Sequence, residues 1–220
     1  PDGQFKQLSA SLWTTCGLMM DDTVQCWGSN LNGQTDAPGG TFSIVSAGSR
    51  HTCALSTDGN VECWGIGDGS AEDYGQAVPP AGEFALVVSG NDFSCAMDMS
   101  GVAQCWGDNS FNQLDAPTTP FVYMAAGGWH TCGLTEDWQM ECWGNDGFGQ
   151  LGSPSGVYNG FITGQHHTCG SRFDGTIECW GGLDDTDFGQ LAMPPRKYRD
   201  VTIGDSHAFG LLMDGTLEYS

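Results

Sequence analysis

Residues 42–65 read FSIVSAGSRHTCALSTDGNVECWG, and their pattern indicates the architecture of the chain. One apolar set recurs at every second position in residues 42–46 and again in residues 51–55, which is the alternation typical of a half-buried β-strand. Residues 57–59, Thr-Asp-Gly, form a three-residue hairpin loop whose last position favours glycine, because the backbone there is left-handed. The stretch therefore predicts short antiparallel strands joined by tight turns.

The motif is repeated along the chain, and its cysteines measure the period. All ten cysteines fall in pairs ten residues apart, and Trp-Gly follows each pair. The pairs are Cys16 with Cys26, Cys53 with Cys63, Cys95 with Cys105, Cys132 with Cys142, and Cys169 with Cys179. The first members lie 37, 42, 37 and 37 residues apart, and a sixth copy carries Phe209 and Tyr219 in place of cysteines. Repeated β units of this length stack into a propeller or a solenoid.

The hairpin register places the two cysteines of a pair opposite each other. A three-residue loop pairs Leu55 with Val61 and Cys53 with Cys63, all on one face of the sheet. Opposed residues have Cα atoms about 4.5–5.5 Å apart, which a disulfide accepts. We therefore expect five cross-strand disulfides. Zinc sites need closer spacing and five copies of a catalytic thiol make little sense, whereas free buried cysteines remain an alternative.

Composition narrows the partners and the compartment. The 220 residues include 6 Lys and Arg against 27 Asp and Glu, which gives a formal net charge of −21. Such a surface repels phosphate backbones, so we expect no nucleic-acid partner, and no apolar run is long enough to insert into a membrane. Disulfides persist in oxidising compartments, so we expect an extracellular or cell-surface protein.

The repeat resembles the regulator of chromosome condensation repeat. The pattern positions in the second unit are Gly48, His51, Leu55, Asp58-Gly59, Trp64-Gly65 and Gly75-Gln76. The resemblance covers essentially the whole chain and implies a β-propeller with one repeat's strands in each blade. The cysteine pairs are similar to those of secreted members and differ from the nuclear ones. Members include a GTPase exchange factor, β-lactamase inhibitors and receptor ectodomains, so the fold does not define the function.

We therefore expect one all-β domain over residues 1–220, a β-propeller of six tandem repeats of 37–42 residues. Each blade should hold about four short antiparallel strands, with a hairpin disulfide in five of them and an incomplete sixth repeat. We expect a closed or nearly closed six-unit ring, and the chain can equally be part of a longer protein.

Candidate interaction residues lie where the repeats differ. The position three before the first cysteine should fall in a turn, so its copies should share one propeller face. They are Trp13, Arg50, Asp92, Trp129, His166 and Ser206. Variable, aromatic-rich turns suit a protein or glycan interface, although ordinary surface variation gives the same pattern. Trp138 replaces the glycine expected at a hairpin tip, so it is either exposed for contact or marks a rearranged loop.

Two inserted loops are acidic and are candidate calcium sites. Their carboxylates are Asp68, Glu72 and Asp73 in one loop and Asp184, Asp185 and Asp187 in the other. Hard cations take about six to eight oxygen ligands, so each loop supplies a partial shell, and solvated acidic loops are the alternative. The recurrent histidines 51, 130, 167 and 207 could bind a metal, but their framework position favours a structural role.

No catalytic motif is found, because the chain lacks G-x-S-x-G, H-E-x-x-H and P-loop patterns. We expect a non-enzymatic extracellular module that presents a variable propeller face to a protein partner or to copies of itself. A lectin-like module that uses Trp13 and Trp129 as sugar platforms is the alternative. No cofactor besides calcium is expected.

Overall fold

The computed structural model describes residues 3–182, 193–194, 196–204 and 207–219. These residues contain eighteen strands in six antiparallel sheets of three consecutive strands, which we number as blades 1 to 6. Blades 1–3 belong to one compact unit, residues 1–120, and blades 4–6 belong to a second, residues 121–220. Within the described ranges no helix is long and apolar enough to cross a membrane.

The strand bounds follow the repeat. In the first unit, blade 1 comprises β1 (Phe5–Ala10), β2 (Thr14–Met19) and β3 (Val24–Gly28). Blade 2 comprises β4 (Phe42–Ala47), β5 (His51–Ser56) and β6 (Val61–Gly65). Blade 3 comprises β7 (Phe84–Ser89), β8 (Phe93–Asp98) and β9 (Ala103–Gly107). In the second unit, blade 4 comprises β10 (Phe121–Ala126), β11 (His130–Thr135) and β12 (Met140–Gly144). Blade 5 comprises β13 (Gly160–Thr163), β14 (His167–Ser171) and β15 (Ile177–Gly181). Blade 6 comprises β16 (Tyr198–Ile203), β17 (Ala208–Leu212) and β18 (Leu217–Tyr219).

Each described blade has three strands, so the expectation of about four is wrong. The loop after β3 shows the physical reason. The side-chain oxygen of Gln34 accepts a hydrogen bond from the backbone N–H of Asn32 at 2.9 Å. The side-chain oxygen of Asn30 accepts one from the backbone N–H of Thr35 at 2.9 Å. Side chains thus satisfy amides that a fourth strand would need for its ladder. The same glutamine turn recurs at Gln76, Gln113 and Gln150.

The hairpin between the second and third strands has the register that the sequence predicts. In blade 2, Cys53 pairs with Cys63 and Leu55 pairs with Val61. The loop ends at Gly59, whose φ is +83°. The three-residue loop therefore sets the cross-strand partners, as the sequence argument requires.

All ten cysteines are described, and they form the five expected disulfides. In each pair the two Cα atoms are 4.0–4.1 Å apart. The bonds join Cys16 to Cys26, Cys53 to Cys63, Cys95 to Cys105, Cys132 to Cys142, and Cys169 to Cys179. The disulfide prediction is confirmed for every pair, and none of these cysteines is free. Their Cα atoms lie slightly closer than the expected 4.5–5.5 Å.

A β-bulge interrupts the pairing of the first two strands in five blades. In blade 2, Phe42 faces Ser56 while Ile44 faces Leu55, so one residue of the first strand is extra. Bulges increase the local twist and re-aim side chains. Phe42 is fully buried, and its ring centroid lies 6.5 Å from that of Trp64 in the same blade.

Apolar side chains fill the interfaces between successive blades of the first unit. Leu18 of blade 1 lies in one buried cluster with Phe42 and Val45 of blade 2. Leu55 of blade 2 lies in the next cluster with Val87 of blade 3. Burial of each leucine contributes about 1.5–3 kcal/mol, so these interfaces form the core of the unit.

In blades 2, 3 and 5 the tryptophan of the Trp-Gly pair connects its blade to the loop of the preceding blade. The indole N–H donates to the backbone oxygen of the glutamine in that loop. The observed bonds are Trp64 to Gln34 at 2.9 Å, Trp106 to Gln76 at 2.9 Å and Trp180 to Gln150 at 3.0 Å. The repeated Trp-Gly and Gly-Gln motifs are therefore two halves of one inter-blade contact.

Hairpin tips also link successive blades, through the backbone alone. An amide at or just before the next blade's first strand donates to the carbonyl at the tip. The bonds are Phe42 to Asp22 at 2.8 Å, Phe84 to Gly59 at 2.8 Å, Tyr158 to Trp138 at 3.0 Å and Tyr198 to Gly175 at 3.0 Å. The tip residues have φ between +62° and +85°, so the left-handed conformation is common to all four tips.

The second unit repeats this packing between blades 4 and 5. Leu134 and Met140 of blade 4 share a buried cluster with Tyr158, which precedes β13, and with Phe161, which lies in β13. In blade 6, Phe209 pairs with Tyr219 in the register that cysteines occupy elsewhere, and the ring centroids are 6.2 Å apart.

Candidate interaction surface

The candidate turn residues lie between the first and second strands of their blades, at the end opposite the hairpin tips. Trp13 precedes β2, Arg50 precedes β5, Asp92 precedes β8, Trp129 precedes β11 and His166 precedes β14. Ser206 lies outside the described residues. Two neighbouring pairs are in contact, Arg50 with Asp92 and Trp129 with His166.

In the first unit these residues form a charged cluster. An Nη atom of Arg50 lies 3.0 Å from Asp92 Oδ1, and the other lies 3.0 Å from Glu72 Oε1. Burial raises the pKa of Asp92, and the positive charge of Arg50 opposes that rise. The carboxylates of Asp108 and Glu72 raise the same pKa further. One guanidinium therefore serves several carboxylates, and the cluster suits a cationic partner.

Trp13 is the exposed member of the first unit, with 65 % of its surface accessible. Its backbone is fixed, because its carbonyl accepts the amide of Ser29 at 2.8 Å. A large amphipathic side chain held in water on a fixed backbone is the kind of residue that anchors an interface.

In the second unit the turn residues form an aromatic cluster. The rings of Trp129 and His166 are stacked, with centroids 5.1 Å apart and an interplanar angle of 28°. Phe148 lies 4.4 Å from the same imidazole, at 55°. The imidazole covers part of the indole, so Trp129 presents less free surface than Trp13. Phe148 was not among the expected residues, although an aromatic stands two positions before the loop glutamine in four repeats.

Trp138 lies at the opposite end of the blade from the turn residues. It keeps the tip geometry of the other hairpins, with φ of +62° and the same backbone bond to the next blade, so the loop is not rearranged. The residue is 42 % exposed, and its ring meets that of Phe173 edge-on, with centroids 5.5 Å apart. Trp138 and Phe173 therefore form a separate aromatic pair.

The described acidic loop uses its carboxylates internally. Asp68 and Asp73 accept backbone amides of the loop at 2.9–3.1 Å, and Glu72 pairs with Arg50. Among the described residues, no three His, Cys, Asp or Glu side chains are grouped as metal ligands. The other expected carboxylates, Asp184, Asp185 and Asp187, lie outside the described residues.

Two of the recurrent histidines connect blades. His51 is fully buried, and its Nε2 lies 2.7 Å from Ser94 Oγ of the next blade. His130 is equally buried, with Nε2 2.9 Å from Thr168 Oγ1. Burial lowers the pKa of each histidine to about 3. Both imidazoles are therefore neutral at physiological pH and act as packing residues.

Six consecutive antiparallel blades with these inter-blade contacts define an all-β repeat protein of the β-propeller class. Residues 5–34, 42–76 and 121–150 match the model of the Regulator of chromosome condensation (RCC1) repeat. The resemblance to the regulator of chromosome condensation repeat that the motif indicates is thus confirmed over these three stretches, and here the repeats carry cysteine pairs. A comparison with curated proteins finds no significant match.

Solved structures show the same fold. The chain is similar to the ectodomain of the receptor kinase CR4 from Physcomitrella patens, with 27 % identity and a TM-score of 0.81 over 100 % of this chain and 62 % of that one. The ectodomain of receptor kinase ACR4 from Arabidopsis thaliana is 25 % identical, with a TM-score of 0.78 over 99 % of this chain and 79 % of that one. Prp20p from Saccharomyces cerevisiae shares the fold, with 19 % identity and a TM-score of 0.80 over 97 % of this chain and 70 % of that one. The chain spans less than two thirds of the CR4 ectodomain.

Proposed function

We propose that this chain is a non-enzymatic extracellular module that binds a protein partner through the turn ends of its blades. The observation that carries the proposal is that turn positions which vary between repeats are packed into preformed clusters. Arg50 holds Asp92 and Glu72, and His166 lies against Trp129. Preformed side-chain clusters lose little conformational entropy on binding, which favours an interface.

An extracellular location is supported by two independent features. Five disulfides persist only where the environment is oxidising. Both plant structures at 25–27 % identity are receptor ectodomains. The same similarity, which covers nearly all of the chain, supports our proposal that residues 1–220 belong to one propeller domain. Labelling with a thiol reagent during extraction from the native source should modify no cysteine before reduction, and extensive labelling of the folded protein would count against secretion.

The chemistry favours a basic protein partner. The net charge of −21 attracts cationic surfaces and increases association rates at low salt. In the first unit, the charged cluster has more carboxylates than cations. Prp20p was studied for its binding to Gsp1p and to histones, so propellers of this fold do bind proteins.

The test compares two exposed residues at opposite ends of the blades. Trp13→Ala removes the exposed anchor at the turn end, and Met99→Ala removes a side chain of similar exposure (77 %) at a hairpin tip. Proteins of the extracellular fraction that bind the wild-type chain should be lost with Trp13→Ala and retained with Met99→Ala. Equal retention by both variants would refute the turn end as the interface, and light scattering would show whether the captured partner is a second copy.

Carbohydrate binding is the second candidate, and the exposure of Trp13 is the observation that favours it. An exposed indole stacks on sugar rings as well as on protein side chains. A glycan array distinguishes the two, because a lectin would give hits that Trp13→Ala abolishes, whereas a protein-binding module would give none.

A further inference from the structure

The interface between blades 5 and 6 is built differently from its counterpart between blades 2 and 3. In blades 2 and 3, Leu55 and Val61 pack against Phe84 and Val87, with Ile44 beside them. Ile44 and Leu55 face each other across the first two strands of blade 2, so they fill the interface as a pair.

In blade 5 this pair is replaced by two small residues. Gly160 faces Ser171 in the register in which Ile44 faces Leu55. Blade 6 still presents Tyr198 and Val201, which pair in their sheet as Phe84 and Val87 do in theirs. The two replacements remove most of two aliphatic side chains. The enlargements beside them are small, since Ile177 stands at the position of Val61 and Tyr198 at that of Phe84.

A cavity that is open to solvent on one side occupies the vacated space. Its volume is about 220 Å³, and it is lined by Gly160, Phe161, Ile162, Cys169, Ser171, Ile177 and residues 198–201. Apolar cavities of about 150 Å³ are known to accept a benzene ring, so this one has room for a single substituted ring.

The lining specifies the chemistry of an occupant. Phe161, Ile162 and Ile177 give apolar walls, and Ser171 adds one hydroxyl. That hydroxyl lies 2.7 Å from Asn159 Oδ1 and 3.1 Å from the Gly160 carbonyl oxygen. Its single hydrogen is donated to these acceptors, so its oxygen lone pairs remain as acceptors. Arg199 and Asp200 are adjacent lining residues of opposite charge, so the lining favours neither an anion nor a cation.

We propose that the cavity between blades 5 and 6 binds an uncharged molecule with a single aromatic ring that carries one O–H or N–H donor. The ring occupies the space that Ile and Leu fill in blade 2, and the donor bonds to Ser171 Oγ. This site is separate from the turn clusters, so its ligand does not depend on the proposed protein partner.

Phenol and toluene are suitable probes, because they are nearly the same size and only phenol has a donor. Wild-type protein should bind phenol more tightly than toluene in NMR titrations, and in protein-detected spectra the methyl signal of Ile177 should shift with both. Ser171→Ala keeps the volume and removes the acceptor, so phenol affinity should fall about 3- to 10-fold while toluene affinity stays unchanged. Ser171→Leu should abolish binding of both.

The variants are expected to fold, since Leu18, Leu55 and Leu134 occupy the corresponding position in other blades. Absence of phenol binding to the wild type up to the solubility limit would overturn the proposal. Unchanged affinity in Ser171→Leu, or shifts that leave the Ile177 methyl unaffected, would overturn it as well. The Ser171→Ala comparison and the Ile177 signal keep the test decisive even if the leucine variant fails to fold.

Discussion

The buried histidine between blades 2 and 3 should make the stability of the first unit depend on pH. Burial lowers the pKa of His51 to about 3 in the folded protein, against 6.5 for the free side chain. Between these values the unfolded chain binds a proton that the folded chain excludes. The stability that comes from the neutral ring is therefore fully present above pH 6.5 and is lost as the pH falls toward 3.

The magnitude follows from the two pKa values. Each pH unit below 6.5 costs about 1.4 kcal/mol of unfolding free energy, so His51 accounts for a loss of about 2 kcal/mol at pH 5. At this pH the folded ring is still neutral, because its pKa of about 3 lies far below. The pKa of the unfolded chain therefore determines the size of the loss.

His51→Phe removes the titration and has a native precedent, since Phe93 occupies the same position in blade 3 and is fully buried. Chemical denaturation at pH 7 and pH 5 should show a decrease in stability that is about 2 kcal/mol smaller in the variant than in the wild type. Ser94→Ala is the matched control, because it removes the partner of the ring and keeps the histidine. It should lower stability by about 1 kcal/mol at both pH values. The same pH dependence in wild type and His51→Phe would refute the argument.

Three further predictions concern stability. Val45 and Leu8 occupy equivalent positions but are 1 % and 62 % exposed. In urea denaturation, Val45→Ala should therefore lower the free energy of unfolding by about 1.5–3 kcal/mol and Leu8→Ala by less than about 0.5 kcal/mol. Equal losses would contradict the packing described above. Trp138→Gly should be less destabilising than Trp138→Ala by about 1 kcal/mol, because φ of +62° strains any residue but glycine, and the reverse order in thermal melts would show that the tip is not left-handed. Replacing Cys53 and Cys63 together by alanine should cost about 3 kcal/mol through the entropy of the unfolded chain, and an unchanged denaturation midpoint would argue against the cross-link.

Much of each blade could be predicted because it depends on local rules. Alternation and the Asp-Gly tip determine the hairpin, and the hairpin register determines that Cys53 faces Cys63. The bulge at Phe42 could not be predicted, because it changes the register without changing the hydrophobic alternation. The fourth strand was expected from the length of the repeat, but the side chains of Asn30 and Gln34 satisfy the loop's backbone instead.

The candidate surface could be predicted only in part. Repeat comparison located the turn that holds Arg50 and Trp129, since position within a repeat is a sequence property. Which turn residues touch depends on the packing of one blade against the next, so the contact of His166 with Phe148 had to come from the structure. The cavity had a visible signal, because Ser171 stands where other blades carry leucine or methionine.

The backbone bonds from hairpin tips to the next blade have a consequence for how such chains change over time. A bond such as Gly59 O to Phe84 N requires no particular side chain, so this one connection can form between two blades without a matching pair of residues. Duplication, loss or exchange of a whole blade then preserves this hydrogen bond at once, and the side chains of the interface can adapt later. The loop between blades 2 and 3 shows the same tolerance, because it carries a five-residue insertion before Gln76 and the bond from Phe84 N to Gly59 O is still made. Chimeric chains assembled from units of different relatives should therefore keep this connection.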